Sequence, residues 1–227
     1  MTDIPYRLVR SRRRTLALVI TRQGILEVRA PLRLSPQAIE EFVDQKRDWI
    51  AARMAERERV VLPPFRWGNT VPFWGREVPV LPGEEACFDS GRFFLPQQAA
   101  GDWVRVRKAL EPLYRKEAKA RLSCLTEREV LRTGWNGGKV PPVHITGART
   151  RWGSCSGRNS LNFSWRLMAA GEEEVRYVVI HELAHTQEHN HSPRFWALVE
   201  KACPAWRERR DQLRKTGLRL EREGWND

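Results

Sequence analysis

Four of the chain's five histidines fall within the eleven residues His181–His191, HELAHTQEHNH. The inner piece, His181-Glu182-Leu183-Ala184-His185, is H-E-x-x-H. On an α-helix, positions i and i+4 share one face about one turn apart, so both imidazoles can reach one tetrahedral Zn²⁺ while Glu182 lies beside them as a base toward water. The arrangement exists only if this stretch is helical, and its surroundings agree. Val175, Val178, Val179 and Leu183 recur at helical spacing, Glu172, Glu173 and Glu174 fill the first turn where the helix dipole favours negative charge, and Gly171 marks the break before it.

A catalytic zinc takes three protein ligands, and the sequence offers His189, His191, Glu200 or Asp211 as the third. On a continued helix His189 would lie about 12 Å along the axis from His181, too far for one ion with bonds of about 2 Å. His191 serves if the helix ends near Glu188 to Asn190, with Asn190 as a residue that tolerates a left-handed stop. Ser192-Pro193 then reads as the cap and first position of a new helix, on which Glu200 is the runner-up ligand.

Four runs carry a likeness to a known family: RTRWGSC (Arg149 to Cys155), LNFSWRL (Leu161 to Leu167), VVIHELAH (Val178 to His185) and NHSPRFW (Asn190 to Trp196). Together they resemble the YgjP-like bacterial metallopeptidases, relatives of the SprT and WLM protease domains. The first half follows the same order, with RRTLALVITRQGILEVRAP, a helix ending near Trp49-Ile50, and WGNTVPFWG. The resemblance implies His181, His185 and His191 as metal ligands, Glu182 as the catalytic carboxylate, zinc as cofactor and a protein or peptide as substrate. The H-x5-H spacing also matches metzincins, but Glu188 stands where their glycine would be and no methionine follows Met168 to form their Met-turn.

The expected fold is α+β: a zincin-like metallopeptidase domain with a small antiparallel sheet packed on the H-E-x-x-H helix, preceded by a β-rich N-terminal portion with one long helix. The division is expected at residues 1–100 and 101–227. Residues 5–9, 14–21 and 24–30 alternate as strands, with Gln23-Gly24 as a turn. Ser35-Pro36 opens a helix over 36–58 with Ile39, Phe42, Val43, Trp49, Ile50 and Met54 on its apolar face. Ten prolines and glycines between Leu62 and Ala100 flank short aromatic runs, the pattern of hairpins. A long helix comes next, over 102–132. Thr150 to Ser154 and Leu161 to Trp165 read as strands joined by Ser156 to Asn159, one of them bordering the cleft, and Trp206 to Lys215 as a basic helix.

On the strand Thr150 to Ser154, Arg151, Trp152 and Ser154 are the candidate substrate contacts, Arg151 as a stabiliser of an oxyanion. The blander reading makes Trp152, with Trp165, Phe195 and Trp196, a core aromatic, and has Arg151 pair with a carboxylate. Cys155 reads as structural, His189 as an exposed helix-end residue and His144 as ordinary. The longest early apolar run, Leu16 to Ile20, is too short for a membrane span. The four cysteines form no C-x-x-C, which suits reduced thiols and a cytoplasmic setting.

The formal net charge is +12, and residues 101–150 contribute half of it with eleven basic against five acidic residues. Arg105, Arg107, Lys108, Arg115, Lys116, Lys119 and Arg121 would form a basic face on helix 102–132, able to attract nucleic acid. Three functions are compatible with the sequence: a zinc-dependent peptidase, a metal-dependent hydrolase of another amide, and, as the resemblance to SprT relatives together with the basic helix implies, a nucleic-acid-associated protease acting on DNA-bound proteins.

Overall fold

The structure, a computed structural model, describes residues 4–21, 24–57 and 62–225. Among them are six α-helices and ten strands in three small sheets, an α+β fold. The chain forms two compact units, Met1–Leu62 with Leu218–Asp227, and Pro63–Gly217. The division expected near residue 100 thus falls instead between 62 and 63. The reason is aromatic packing: Phe73 and Phe93 lie 5.2 and 5.3 Å from Tyr114 of the long helix, which binds residues 63–100 to that helix within the second unit.

In the first unit, β1 (Tyr6–Ser11), β2 (Ala17–Ile20) and β3 (Leu26–Pro31) form a sheet in the order β1-β3-β2. Leu26, Val28 and Ala30 alternate on one face of β3 and are fully buried, clustering with Ile39, Val43 and Ile50. Gly24 has φ +77, suiting a tight turn, while Gln23 lies outside the described residues. The single helix expected over 36–58 is two, α1 (Pro36–Gln45) and α2 (Arg47–Arg57), and Glu58 lies outside the described residues. The break at Lys46 (φ −106, ψ 13) resets the helical register, leaving Trp49 42% and Met54 36% exposed instead of in the core.

In the second unit, β4 (Thr70–Phe73), β5 (Arg76–Pro82), β6 (Cys87–Asp89) and β7 (Arg92–Leu95) make a sheet in the order β4-β5-β7-β6. Two hairpins are present as expected, turning at Trp74-Gly75 and Ser90-Gly91, all four residues having positive φ. They are joined by parallel pairing of β5 and β7. Helix α3 (Trp103–Thr133) is capped by Asp102, whose side chain accepts from the Arg105 N–H, and closed by left-handed Gly134. The third sheet comprises β8 (Val143–Thr146), β9 (Gly153–Cys155) and β10 (Leu161–Ser164) in the order β8-β10-β9. It is mixed and not antiparallel, because β8 runs parallel to β10. Strand β9 lies at an edge of this sheet, and it is shorter than expected. Helices α4 (Glu172–Ala184), α5 (Pro193–Ala202) and α6 (Trp206–Arg222) complete the chain, α6 extending beyond the expected Lys215.

The expected basic face of α3 is only partly formed. Arg115 pairs with Glu111 and donates to the Ile145 carbonyl, Lys119 donates to the Val143 carbonyl, and Arg121 pairs with Glu117 and lies 4.7 Å over the Trp74 ring. These three cations tie α3 to β8 and to the first hairpin. Arg105, Lys108 and Lys116 remain exposed. No helix among the described residues is long and apolar enough to cross a membrane.

A buried ion cluster fixes α4 against α3. The carboxylate of Glu129 is 1% exposed and receives Arg132 at 2.6 Å and Arg176 at 2.7 Å. Arg132 also donates to the Ala202 carbonyl at the end of α5. Removing one partner of such a cluster strands the others' hydrogen-bonding capacity in a half-dry site. Glu129→Gln is expected to lower stability by roughly 2–4 kcal/mol in a urea titration; an unchanged midpoint would show that the cluster does not hold the helices together.

Candidate metal centre

Helix α4 is buried on most of its circumference: Val175, Val178, Val179, Ile180 and Leu183 are all at most 4% exposed. Its first turn carries Glu172, Glu173 and Glu174 as expected. The start of α4 is held by the Trp74 turn. The Trp74 backbone N–H donates to the Met168 carbonyl at 2.7 Å, its indole donates to Glu172, and Gly75 approaches Gly171 so closely that a Cβ would stand 3.0 Å from the Gly171 Cα.

The helix ends at Ala184, earlier than the sequence suggests. His185 is its C-cap and keeps right-handed backbone angles (φ −65, ψ −18), so its ring stays on the His181 face. The stop comes from turn hydrogen bonds, Thr186 N–H to Leu183 and Gln187 N–H to Ala184, and from the Thr186 hydroxyl donating to Leu183. Asn190 is not among the positive-φ residues, so no left-handed residue is needed there. Ser192 then caps α5, accepting from the Phe195 N–H at 3.3 Å, with Pro193 at the first position as expected.

This course brings His181, His185 and His191 together, with one donor atom of each within 4.8 Å of the others. The Nε2 atoms of His181 and His191 are 3.1 Å apart. The edge of a tetrahedral site with bonds of about 2.05 Å is about 3.3 Å, so the spacing fits a divalent cation. Two further observations agree. His185 Nδ1 donates to the Glu188 carbonyl at 3.1 Å, which leaves the lone pair on Nε2. His181 Nδ1 is buried without a partner, so the ring's polar outlet is Nε2. The other proposed ligands lie elsewhere: Glu200 pairs with Arg207, Asp211 with Arg214 and Lys215, and His189 is exposed.

Burial sets the protonation of the site. It pushes His181 down to about 3, aided by the neighbouring His185, His191 and Arg210, and it lowers His185 as well, so these imidazoles are neutral at neutral pH. The same burial raises Glu182 to about 7, opposed by the Cys155 backbone N–H and the Arg151 charge. A cation bound beside it would draw the carboxyl back toward its ionised form. The Cys155 thiol is pushed up to about 11 by burial and then by Glu182, which keeps it an unreactive thiol.

Sequence reasoning missed three parts of the site. Phe195, fully buried, stacks on His185 at 4.4 Å and meets His181 and His191 edge-on at 4.9 and 4.8 Å, forming a shared floor for all three rings. The edge of β9 supplies the Cys155 N–H to Glu182. Gly153 lies against the same carboxylate: a Cβ there would stand 2.7 Å from both Cγ and Oε1 of Glu182. Only the run Trp152-Gly153-Ser154-Cys155 hints at this in the sequence, and its glycine resembles turn chemistry. A cleft of about 320 Å³ opens beside His181 and Glu182, lined also by Trp152, Gly153, Tyr177, Arg210 and Leu213. Trp152 thus faces the cleft, Arg151 lies near enough to act on Glu182, and Ser154 sits on the edge strand.

Gly153→Ala is expected to displace Glu182 or β9. Because misplacing a reacting group by about 1 Å can cost 10²-fold, kcat/KM for the hydrolysis expected of an H-E-x-x-H site should fall about 100-fold while bound metal, measured on the same sample, is retained. A fully active Gly153→Ala enzyme would mean that the close approach is not required.

The sequence profile of the YgjP-like metallopeptidase domain matches residues 14–216. The crystal structure of the metallopeptidase zymogen of Pyrococcus abyssi abylysin is 27% identical over 40% of this chain and 90% of that one, with a TM-score of 0.38. No curated protein matches. With nearly its whole length covered by that profile and a cation-ready histidine triad at its H-E-x-x-H helix, the chain belongs to the YgjP-like metallopeptidase domain family and is a metallopeptidase.

Proposed function

We propose that the chain is a zinc-dependent peptidase in which His181, His185 and His191 hold the metal and Glu182 is the general base. The observation that carries this reading is the convergence of three imidazole donors within 4.8 Å beside one buried carboxylate at the wall of an open cleft. Three nitrogen ligands with room for a fourth partner suit catalytic zinc, whereas structural zinc is enclosed by four protein atoms.

Zinc bound there supplies a Lewis acid that polarises the scissile carbonyl and makes a water molecule more acidic. The remaining steps belong to the chain's own groups. Glu182, steadied by the Cys155 N–H and seated against Gly153, takes the proton of the attacking water on a carboxylate oxygen and returns it to the leaving amine. Phe195 holds the imidazole rings in place and shields them from water. Trp152, Ser154 and Arg151 are the substrate contacts in this reading. Trp152 packs against a substrate side chain in the cleft, and the Arg151 charge favours the ionised form of Glu182 against the burial that raises it. Reduced cysteines and a cytoplasmic setting belong to the same reading.

Replacing Glu182 by Gln keeps the shape and removes the base. Glu182→Gln is expected to bind zinc as the wild type does and to lose about 10²–10⁴-fold in peptide hydrolysis. His185→Ala should lose both zinc and activity. Metal analysis and cleavage of a quenched peptide check the pair, and an active Glu182→Gln protein would show that another group is the base.

A further inference from the structure

The cleft has a chemical polarity of its own. Its walls are largely apolar, with Trp152, Val178, Leu213 and Tyr177, the last two 3% and 5% exposed. Glu182 is the acidic group of its lining, and α6 contributes the cations Arg210 and Arg214. The basic residues around Arg210 have partners: Arg207 pairs with Glu200, Arg209 with Glu174, and Arg214 and Lys215 with Asp211. Among the described residues Arg210 has no ion pair.

Arg210 is nevertheless held in place. Its guanidinium lies 5.6 Å over the Trp206 ring, Trp206 stacks on Trp196 at 4.4 Å, and Trp196 stacks on His191 at 5.7 Å. A continuous aromatic stack therefore sets the position of this cation relative to a metal ligand. The charge is close enough to act on both His181 and the Tyr177 hydroxyl. A cation fixed beside an apolar cleft, with its carboxylate partner missing, is a receptor for a carboxylate that arrives with the substrate.

We infer that Arg210 is a specificity-determining residue: it receives a substrate carboxylate, from an acidic side chain or from the free C-terminus, when the adjoining part of the peptide occupies the cleft. This rests on the proposed peptidase reading and adds a substrate class to it.

The test uses the full-length zinc-loaded protein and matched quenched peptides that differ only in Glu against Gln near the cut, or in a free against an amidated C-terminus. The wild type is expected to favour the carboxylate member of one pair by about tenfold in kcat/KM, mainly through KM, as for a charge-assisted hydrogen bond. Arg210→Gln should bring that ratio to about one, and Arg210→Glu should favour Lys over Glu at the same position. Lys215→Gln, which removes a charge from the same helix away from the cleft, should keep the wild-type ratio. Preference within the Glu pair alone assigns the side chain, and preference for the free terminus alone assigns the chain end. The inference is overturned if the wild type discriminates in no pair, if Arg210→Gln keeps the wild-type ratio, or if it lowers kcat for every peptide alike. Should the wild type cleave none of the peptides, the peptidase reading fails separately. Calorimetric titration of the same pairs into Glu182→Gln protein then decides the point without turnover: an Arg210-dependent difference in affinity supports it, and equal affinities overturn it.

Discussion

The contact between the Glu182 carboxyl and the backbone of Gly153 is the constraint around which the rest is arranged. It brings a charged group out of water and against a strand edge, where one N–H, that of Cys155, partly compensates the lost solvation. For this to happen β9 has to be an edge strand, its residue 153 has to lack a side chain, and α4 has to lie at a fixed height above it. The same dry surroundings favour neutral imidazoles over imidazolium. One physical cause, burial, thus sets the protonation of both the imidazoles and the Glu182 carboxyl.

That geometry is supported from several directions. The Trp74-Gly75 turn meets the start of α4, the Glu129 cluster clamps its middle to α3, and Phe195 floors the imidazoles at its end. These supports come from segments far apart in the chain, so disturbing any one should be felt at the centre. Trp196 and Trp206 extend the same packing to the rim of the cleft, where they place Arg210. The histidine triad and Arg210 therefore share one aromatic scaffold.

The strong positive charge of the chain looks different once the pairs are known. Arg115, Lys119 and Arg121 serve as ties between α3 and its neighbours, and Arg132 and Arg176 neutralise a buried carboxylate. Much of the basic composition is thus structural. Among the described residues Arg210, which lines the cleft, has no ion pair, and it stands on α6, not on the long basic helix.

Local patterns are legible wherever the physics is local. Helical spacing and acids in the first turn announce α4, Ser192-Pro193 announces the start of α5, Asp102 and Gly134 bound α3, and H-E-x-x-H with His191 announces the triad. The break at Lys46, the parallel pairings of β5 with β7 and β8 with β10, and the division at residue 62 are not legible, because they arise from which surfaces meet. The same holds for Gly153, Phe195 and Arg210. By itself the sequence determined the candidate histidines and the spacing of two of them along one helix, since i, i+4 geometry is a property of the backbone. Only the tertiary structure decided which strand edge touches Glu182, which ring floors the histidine triad and which arginine faces the cleft without an ion pair, since each depends on contacts between residues distant in the chain.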